Sequence, residues 1–315
     1  MIPARWERPY VDRPVADADR ADLLARSSAA HWGLAEPTLL RSSMNRVYVA
    51  GEVIVRIGHV NGRGESQLDL AARLAALEIA VPQPAREETL ADGDLVVTAW
   101  RRATGAGSVD WESVGRAVAR LHRVSPAEVV PSDHPIADPR RFPWWNFESL
   151  LEECAGEIDA RALSSIERVL DGHSGWDDWR DEDLVLCHGD VHPGNVVVDL
   201  SGPLLVDWDL MCLAPREWDL APLSVWSRNW GGDAAWFDSF ERGYDREVDL
   251  RRLRALGDLR DLAATLMAVR AVPLFALRSG ALVRLAVRLW AVPLIWWVSV
   301  GLSCLFRLVR VRLSR

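Results

Sequence analysis

The sequence contains no lysine, because all 37 of its basic residues are arginine. Any mechanism that depends on a lysine amine, such as Schiff-base catalysis, is therefore excluded. Cysteine is scarce as well, and its four residues show none of the short paired spacings that mark a zinc site or a disulfide framework. We therefore expect a soluble enzyme of the reducing cytoplasm.

Acidic residues are absent after Asp261, whereas eight arginines follow that position. Residues 1–261 carry all 45 acidic side chains against 29 arginines, so this part of the chain is strongly acidic. An acidic body argues against nucleic acid as a partner, since nucleic acid is bound through a basic face. It permits a cationic small-molecule substrate.

The chain also lacks a recognisable secretion signal and has only one long apolar run. Four aspartates within the first thirty residues do not fit the charged-then-apolar pattern of a signal peptide. The apolar run covers residues 289–306, and arginines flank it on both sides. Its eighteen uncharged residues lie at the lower edge of the roughly twenty that span a bilayer. A packed helix, a membrane-associated or tail-anchoring segment and an irregular extension all stay open.

The rest of the chain is organised around residues 184–209, LVLCHGDVHPGNVVVDLSGPLLVDWD. Residues 185–187 predict a buried strand, and two short apolar strands at 196–198 and 204–206 predict a hairpin. The polar loop between the first strand and the hairpin carries Asp190 and Asn195. Asp207 follows the second hairpin strand, so we expect three oxygen-bearing side chains to converge.

This convergence suits phosphoryl transfer, in which a protein mainly positions groups and neutralises charge. Asp190 could orient an attacking hydroxyl and accept its proton. Asn195 and Asp207 offer the neutral and charged oxygen ligands that Mg²⁺ takes from proteins, the rest of its shell being water and phosphate.

The motif HGDVHPGN at residues 188–195, followed by DWD at residues 207–209, resembles the aminoglycoside phosphotransferase family of small-molecule kinases. The resemblance implies an α+β fold that is bilobal and protein-kinase-like. Its N-terminal lobe is an antiparallel sheet with one helix, and its larger C-terminal lobe is mainly helical. We expect the nucleotide-covering lobe at residues 1–103, the catalytic and substrate lobe at 104–270, and an apolar, arginine-flanked tail at 271–315.

The resemblance also assigns nucleotide-binding residues in the N-terminal lobe and the hinge. These are Ser43, Asn45, Arg56, Val97, Ala99 and Trp100. Arg56 stands where kinases carry a strand lysine that contacts the phosphates, and its forked guanidinium could bind phosphate with two hydrogen bonds. The alternative is an arginine on an exposed strand face.

The following helix should supply the partner of Arg56, and the sequence leaves Glu65, Gln67 and Asp69 open for that position. Within the central motif, His188 and His192 are expected to brace the loop by hydrogen bonds. Three further roles are expected: Asp209 near the metal or the substrate, Asp219 as a cap or brace of a helix, and His122 as a structural side chain.

The leading hypothesis is a kinase that uses Mg²⁺ to move the γ-phosphoryl group of ATP or GTP to a hydroxyl of a small molecule. Arg56 and the uncertain helix acid motivate a second hypothesis, a nucleotide-binding pseudokinase. A third is a metal-dependent hydrolase, since five side chains of the motif could form a metal cluster. These are His188, Asp190, His192, Asp207 and Asp209.

Overall fold

The computed structural model describes residues 14–59, 64–131, 134 and 136–271. Apart from residue 271, which ends the last described helix, the predicted tail with the apolar run at 289–306 lies outside the described residues, as does the membrane contact that was left open for it. None of the helices in the described part of the chain combines the length and the apolar character needed to cross a membrane.

The N-terminal part of the chain folds into a five-stranded antiparallel sheet with two helices. Its elements are α1 (Ala18–His31), β1 (Thr38–Ser42), β2 (Arg46–Ala50), β3 (Val53–His59), α2 (Gly64–Ala76), β4 (Leu90–Asp92) and β5 (Leu95–Arg101). The strand order is β1-β2-β3-β5-β4. The predicted hairpin between β2 and β3 is confirmed, and Gly51 at its turn has a φ of +66°, which glycine adopts at low cost.

The sheet places Arg56 on the face opposite to the small core of this lobe. Val55 and Ile57 alternate with Arg56 along β3, and both are fully buried against Val97 and Ala99 of β5. Alternation along a strand sends successive side chains to opposite faces. The guanidinium is thereby directed away from the core and towards the larger lobe.

The C-terminal part is mainly helical, with two short strand pairs. Its elements are α3 (Trp111–Leu121), α4 (Pro126–Val129), α5 (Phe147–Cys154), α6 (Ala160–Gly172), β6 (Leu184–Cys187), β7 (Val196–Asp199), β8 (Gly202–Leu205), β9 (Cys212–Pro215), α7 (Glu217–Asn229), α8 (Ala235–Tyr244) and α9 (Leu250–Ala271). The predicted α+β, bilobal, kinase-like fold is confirmed. The expected lobe boundary at residue 103 falls in the segment that joins β5 to α3 and stays a prediction.

Helices α3 and α8 pack backbone against backbone, and two glycines allow this approach. A Cβ atom at Gly115 would lie 2.1 Å from the carbonyl oxygen of Phe240, and one at Gly243 would lie 1.9 Å from that of Glu112. Helix α3 starts at Trp111, the first buried residue of its apolar face, because the Asp110 side chain accepts a hydrogen bond from the backbone of the first turn.

Two antiparallel strand pairs frame the central motif. Strand β6 pairs with β9, and β7 pairs with β8 in the predicted hairpin. The loop of residues 188–195 joins β6 to β7, and residues 206–211 join β8 to β9. Both ends of each connection are therefore anchored in hydrogen-bonded strands, and the two connections face each other.

Candidate active site

The loop of residues 188–195 takes its shape from a close approach to the segment after β8. Gly189 has a φ of +92°, and a Cβ atom there would lie 2.0 Å from the carbonyl oxygen of Leu210. Only glycine fits such a position without moving the backbone. The indole Nε1–H of Trp218 donates to the Gly189 carbonyl oxygen at 3.2 Å and holds the loop from the opposite side.

A buried carboxylate braces the start of this loop. Asp219 accepts hydrogen bonds from the backbone amides of His188 at 2.8 Å and Gly189 at 2.7 Å. Its Oδ2 also lies 3.1 Å from Nε2 of His122, whose Nδ1 lies 2.7 Å from the Tyr244 hydroxyl. This network ties the loop to α3, α7 and α8. Asp219 therefore braces the loop rather than the helix that was expected, and His122 has the structural role that the sequence indicated.

Asp190 projects from the loop into a ring of donors. Its Oδ2 accepts from Nδ2 of Asn195 at 2.9 Å and lies 3.2 Å from Nε2 of His192, while Oδ1 accepts from the Arg260 guanidinium. Burial by itself favours the neutral acid. His192 and Arg260 outweigh that effect and lower the pKa of Asp190 well below its ordinary value. Asp190 is therefore ionised at neutral pH and can accept a hydrogen bond.

His192 is fixed on three sides. Its Nδ1 accepts from the Gly194 amide at 3.0 Å, which leaves Nε2–H to donate to Asp190. Its ring stacks on the indole of Trp226, with centroids 5.0 Å apart and planes 7° from parallel. The imidazole thus orients Asp190, in line with the bracing role expected for it.

His188 is fully buried, and both of its ring nitrogens are engaged. Nε2–H donates to the Val206 carbonyl oxygen at 3.0 Å, and Nδ1 accepts from the Asp190 amide at 3.3 Å. Burial lowers the pKa of His188, so the ring is neutral. Because neither nitrogen is available to a metal ion, the five-residue metal cluster of the hydrolase hypothesis loses one ligand.

One other group of metal-ligating side chains lies close together in the described part of the chain. The ligand atoms of His122, Cys187 and Asp219 are all within 4.8 Å of one another, and all three residues are buried. Both nitrogens of His122 and both oxygens of Asp219 are already hydrogen-bonded. We therefore interpret this group as part of the loop brace.

Asp207 lies in a strained backbone conformation after β8. Its φ and ψ are 66° and 64°, in the left-handed region that aspartate adopts more readily than most residues. The backbone there turns sharply from the β7–β8 hairpin, where Val206 N–H donates to the Asn195 carbonyl oxygen at 3.0 Å. Asn195 and Asp207 are thereby brought to the same end of the hairpin.

Burial and the negative charge of Asp209 raise the pKa of Asp207 to about 6. Two carboxylates held close together in this way favour a divalent cation between or beside them. The side-chain nitrogen of Asn195 donates hydrogen bonds to Asp190. The side-chain oxygen of Asn195 accepts no hydrogen bond from the described residues. The donor set of Asn195 and Asp207 therefore fits Mg²⁺, which prefers oxygen ligands.

Arg56 contacts Asp209 directly. Its guanidinium donates to the Asp209 carboxylate and lies 3.9 Å from Asp207, while Nδ2 of Asn45 donates to Asp209 at 3.2 Å. The side chain of Arg56 is only 16% exposed. It therefore does not lie on an open strand face, and Asp209 links the two lobes.

The helical partner of Arg56 is Gln67. The second amino group of the guanidinium lies 3.3 Å from Oε1 of Gln67, whereas Asp69 pairs with Arg73 on its own helix. The side chain of Glu65 lies outside the described part of the chain. Among the described candidates, a neutral amide thus contacts Arg56 from α2, and the acidic partner comes from the other lobe.

A cavity of about 940 Å³ separates the two lobes. Its apolar walls come from Val47, Ile54, Leu70, Leu74, Val197, Val198, Leu204 and Val206. Arg56, Asp207 and Asp209 lie at its polar end, and Trp100 to Ala103 line it where the lobes join. Such a combination of an apolar slot and a few converging polar groups suits a nucleotide.

The predicted nucleotide-binding residues are distributed unevenly around this cavity. Ser43, Asn45 and Trp100 line it together with Arg56. The side chains of Val97 and Ala99 are completely buried in the N-terminal core, so only their backbone atoms remain as candidates for a contact. Their assignment to the nucleotide stays a prediction, as do the roles of the other residues.

Sequence reasoning missed Arg260, which lies seventy residues after Asp190 on α9. No motif surrounds it, and it is one of 37 arginines. Its contact with Asp190 arises only because α9 packs beside α7 and brings the guanidinium over the loop. The stacking of Trp226 on His192 was likewise not foreseen.

The profile of the phosphotransferase enzyme family matches residues 39–256 of the chain. No curated protein sequence matches it. Among solved structures, a spectinomycin phosphotransferase is similar in fold, with a TM-score of 0.62 at 17% identity, over 85% of this chain and 92% of that one.

Two further structures share the fold. An amicoumacin kinase has a TM-score of 0.60 at 18% identity, over 88% of this chain and 96% of its own. A choline/ethanolamine kinase family protein from Mesorhizobium loti has a TM-score of 0.57 at 19% identity, over 86% and 91%.

Proposed function

The chain belongs to the phosphotransferase enzyme family, and from that premise we propose that it transfers the γ-phosphoryl group of ATP to a hydroxyl of a small molecule with the help of Mg²⁺. Membership of this family makes the protein a phosphotransferase. The phosphoryl donor, the metal ion and the class of acceptor are what we propose. The similar spectinomycin phosphotransferase was solved with ADP and spectinomycin, and the amicoumacin kinase with AMP-PNP and Ca²⁺.

One observation carries the proposal: the ionised Asp190 stands on a rigid loop whose other end, Asn195, adjoins Asp207 at the edge of the 940 Å³ cavity. A kinase needs a carboxylate for the acceptor, oxygen ligands for a metal and a slot for the nucleotide. His192 and Gly194 of the loop line the cavity beside Asp207 and Asp209, which supports a single site for all three. We therefore favour catalysis over the pseudokinase alternative.

Asp190 is proposed to orient the acceptor hydroxyl and to take its proton as the new bond to phosphorus forms. His192, Asn195 and Arg260 fix the carboxylate, so little reorganisation is needed during the reaction. When bound, Mg²⁺ would neutralise charge on the phosphates, and Asn195 and Asp207 are the residues that would hold it.

Arg56, Ser43 and Asn45 are proposed to bind the nucleotide phosphates. Arg56 already lies within the cavity, and a guanidinium forms strong charge-assisted hydrogen bonds to phosphate. Arg56 also contacts Asp209, and the nucleotide phosphates would compete for this contact. Adenine would occupy the apolar slot near residues 100–103, where we place the boundary between the lobes.

The cytoplasm is the compartment that we propose for this enzyme. The three cysteines of the described residues, Cys154, Cys187 and Cys212, are all buried as free thiols, which suits a reducing compartment.

The test is a transfer assay with a broad panel of hydroxylated metabolites and antibiotics, each incubated with Mg²⁺ and either ATP or GTP. Transferred phosphate is read by mass, and Asp190→Ala serves as the inactive control. We expect at least one product that depends on Asp190. Tight nucleotide binding without transfer to any acceptor would support the pseudokinase instead, and a product formed only with GTP would correct the proposed donor.

A further inference from the structure

The Arg260 guanidinium occupies one side of the catalytic carboxylate. It donates to Oδ1 of Asp190 from the middle of α9, and the two side chains are 22% and 20% exposed. Because both groups are shielded from bulk water, their electrostatic influence on a bound molecule is stronger than at an open surface.

The hydrogen bonds of Asp190 restrict where an acceptor hydroxyl can bind. Oδ2 already takes hydrogen bonds from both His192 and Asn195, whereas Oδ1 takes one from Arg260. A carboxylate oxygen accepts about two hydrogen bonds, so the remaining position is on Oδ1. An attacking hydroxyl would therefore donate to the same oxygen that Arg260 contacts.

Arg260 retains hydrogen-bonding capacity beyond its contact with Asp190. A guanidinium carries five N–H donors in a planar fork. Within the described part of the chain, Asp190 is the hydrogen-bond partner recorded for this side chain. The remaining donors lie next to the expected position of the acceptor hydroxyl.

The nearby acidic residues of α9 form hydrogen bonds and ion pairs with residues other than Arg260. Asp258 pairs with Arg228 at 2.8 Å and with His173 at 3.3 Å, and Asp261 accepts from the indole nitrogen of Trp230 at 3.1 Å. Arg228 also donates to Asp261 at 3.3 Å, so both carboxylates are hydrogen-bonded to side chains other than Arg260. The remaining donors of Arg260 are therefore not taken by the acidic residues of its own helix.

We propose that Arg260 is a specificity residue, and that the acceptor of this enzyme carries an anionic group, a carboxylate or a phosphate, beside the hydroxyl that receives the phosphoryl group. This inference rests on the proposed function. An anionic group there accepts charge-assisted hydrogen bonds from the remaining guanidinium donors, whereas an ammonium group has no lone pair with which to accept them. The cationic acceptor suggested by the overall charge is thereby replaced by one matched to these donors.

The experiment uses acceptors that share a skeleton and differ in the group beside the hydroxyl. Glycerate, glycerol and aminopropanediol form one set, and gluconate, glucitol and glucamine form a second. Comparing glycerol phosphate with glycerate shows whether the anionic group that is preferred is a phosphate or a carboxylate. Binding is measured as a rise in melting temperature with Mg²⁺ and AMP-PNP present, and turnover is measured with MgATP on the full chain.

The variants are Arg260→Gln, which keeps a hydrogen-bond donor but removes the charge, and Arg254→Gln as a matched control. Arg254 is exposed on the same helix. In the parent we expect the anionic members to bind and react best. Arg260→Gln should lower kcat/KM for every member, because Arg260 also fixes Asp190, and for the anionic members by roughly a further tenfold to hundredfold, since it also removes their contact to a charged group. Arg254→Gln should change neither.

Three outcomes would overturn the inference: preference of the parent for the ammonium members, an equal loss for all members in Arg260→Gln, and a panel in which no anionic member binds or reacts. The equal loss would make Arg260 a positioning residue for Asp190. Transfer to a neutral or cationic acceptor would leave the proposed kinase function intact, whereas no transfer to any member would count against both.

Discussion

At the scale of single residues, the site divides its carboxylates between two environments. Asp190 is surrounded by donors and cations, which lower its pKa, whereas burial and Asp209 raise the pKa of Asp207 to about 6. The same type of side chain thus serves two purposes. Asp190 is kept ionised by protein groups, whereas the ionised form of Asp207 would be stabilised by a bound metal ion.

The first prediction separates these two roles. Asp190→Ala should lower turnover by roughly 10²–10⁴-fold, the range typical of a lost general base, while nucleotide binding with Mg²⁺ stays close to that of the parent. Asp207→Ala should abolish turnover and also remove the effect of Mg²⁺ on nucleotide binding. Calorimetric titration with AMP-PNP, with and without Mg²⁺, measures the difference.

Asp171→Ala is the matched control, because Asp171 is an exposed carboxylate of α6 far from the loop in sequence. It should behave like the parent in both assays. If both site variants lost nucleotide equally while remaining folded, the separation of a base from a metal ligand would be wrong.

The second residue-scale prediction concerns Arg56. Arg56→Ala should reduce the catalytic efficiency for ATP roughly tenfold to hundredfold, because a hydrogen bond to a charged group contributes about 1.5–3 kcal/mol. The catalytic efficiency of Arg56→Lys should lie between those of the parent and Arg56→Ala, since an ammonium group reproduces the charge of the guanidinium but not its forked pair of donors. Steady-state kinetics at saturating acceptor measures this series.

Arg73→Ala provides the comparison, because Arg73 forms only an exposed pair with Asp69 on α2. Such surface pairs contribute about 0–1 kcal/mol, so its kinetics should hardly change. Unimpaired kinetics in Arg56→Ala would remove this residue from the nucleotide site.

At the scale of elements, the loop is held by parts of the chain that do not take part in chemistry. Asp219 at the start of α7 binds two loop amides, and His122 and Tyr244 support it from α3 and α8. The position of the loop therefore depends on how α3 packs against α8. That packing in turn depends on two glycines.

The third prediction tests this helix crossing. Gly115→Ala and Gly243→Ala should each lower the free energy of unfolding by about 1–3 kcal/mol or more, because the new methyl group meets a backbone carbonyl that cannot rotate away. Urea denaturation measures the change. Gly172→Ala, where nothing lies within 4 Å of the added methyl group, should cause no loss of stability.

An unchanged stability in both crossing variants would contradict the close approach of α3 and α8. A stable variant with reduced turnover would instead indicate that the helices shift and carry the loop with them. Both results are distinguished by measuring denaturation and phosphoryl transfer on the same preparations.

At the scale of the whole molecule, the absence of lysine simplifies how the protein responds to pH. Between neutral pH and about pH 9, few groups besides histidine and cysteine change charge. His122 is one of them. Burial lowers its pKa, but Cys187 and Asp219 outweigh burial and raise the pKa to about 9. We attribute this chiefly to Asp219, because the pKa of the Cys187 thiol lies well above its ordinary value.

The fourth prediction follows from this raised pKa. The stabilising charge on His122 is fully present below its ordinary pKa of 6.5 and is lost as the pH rises through about 9. Over this interval the parent should lose stability relative to His122→Gln. Denaturation of both proteins across this pH range measures the difference, in which the contributions of groups remote from His122 cancel.

His122→Gln keeps groups that can hydrogen-bond to Asp219 and Tyr244, so it should fold. If the two proteins showed parallel stability profiles across this range, His122 would be neutral in the folded state. The network would then be held by hydrogen bonds alone.

The sequence by itself determined the local frame of the site. Residues 185–206 alternate apolar strands with turn formers, so the strand, the loop and the hairpin follow from short-range spacing and were confirmed. Because the hairpin connects Asn195 to Asp207 within twelve residues, their proximity was also predictable. The resemblance carried by the same motif gave the family and the bilobal fold.

Only the tertiary structure decided which distant side chains complete the site. Arg260 reaches Asp190, and Asp209 of the other lobe pairs with Arg56. These contacts join residues 70 and 153 positions apart. No local pattern distinguishes Arg260 among 37 arginines, because its role arises from the packing of helices rather than from spacing along the chain.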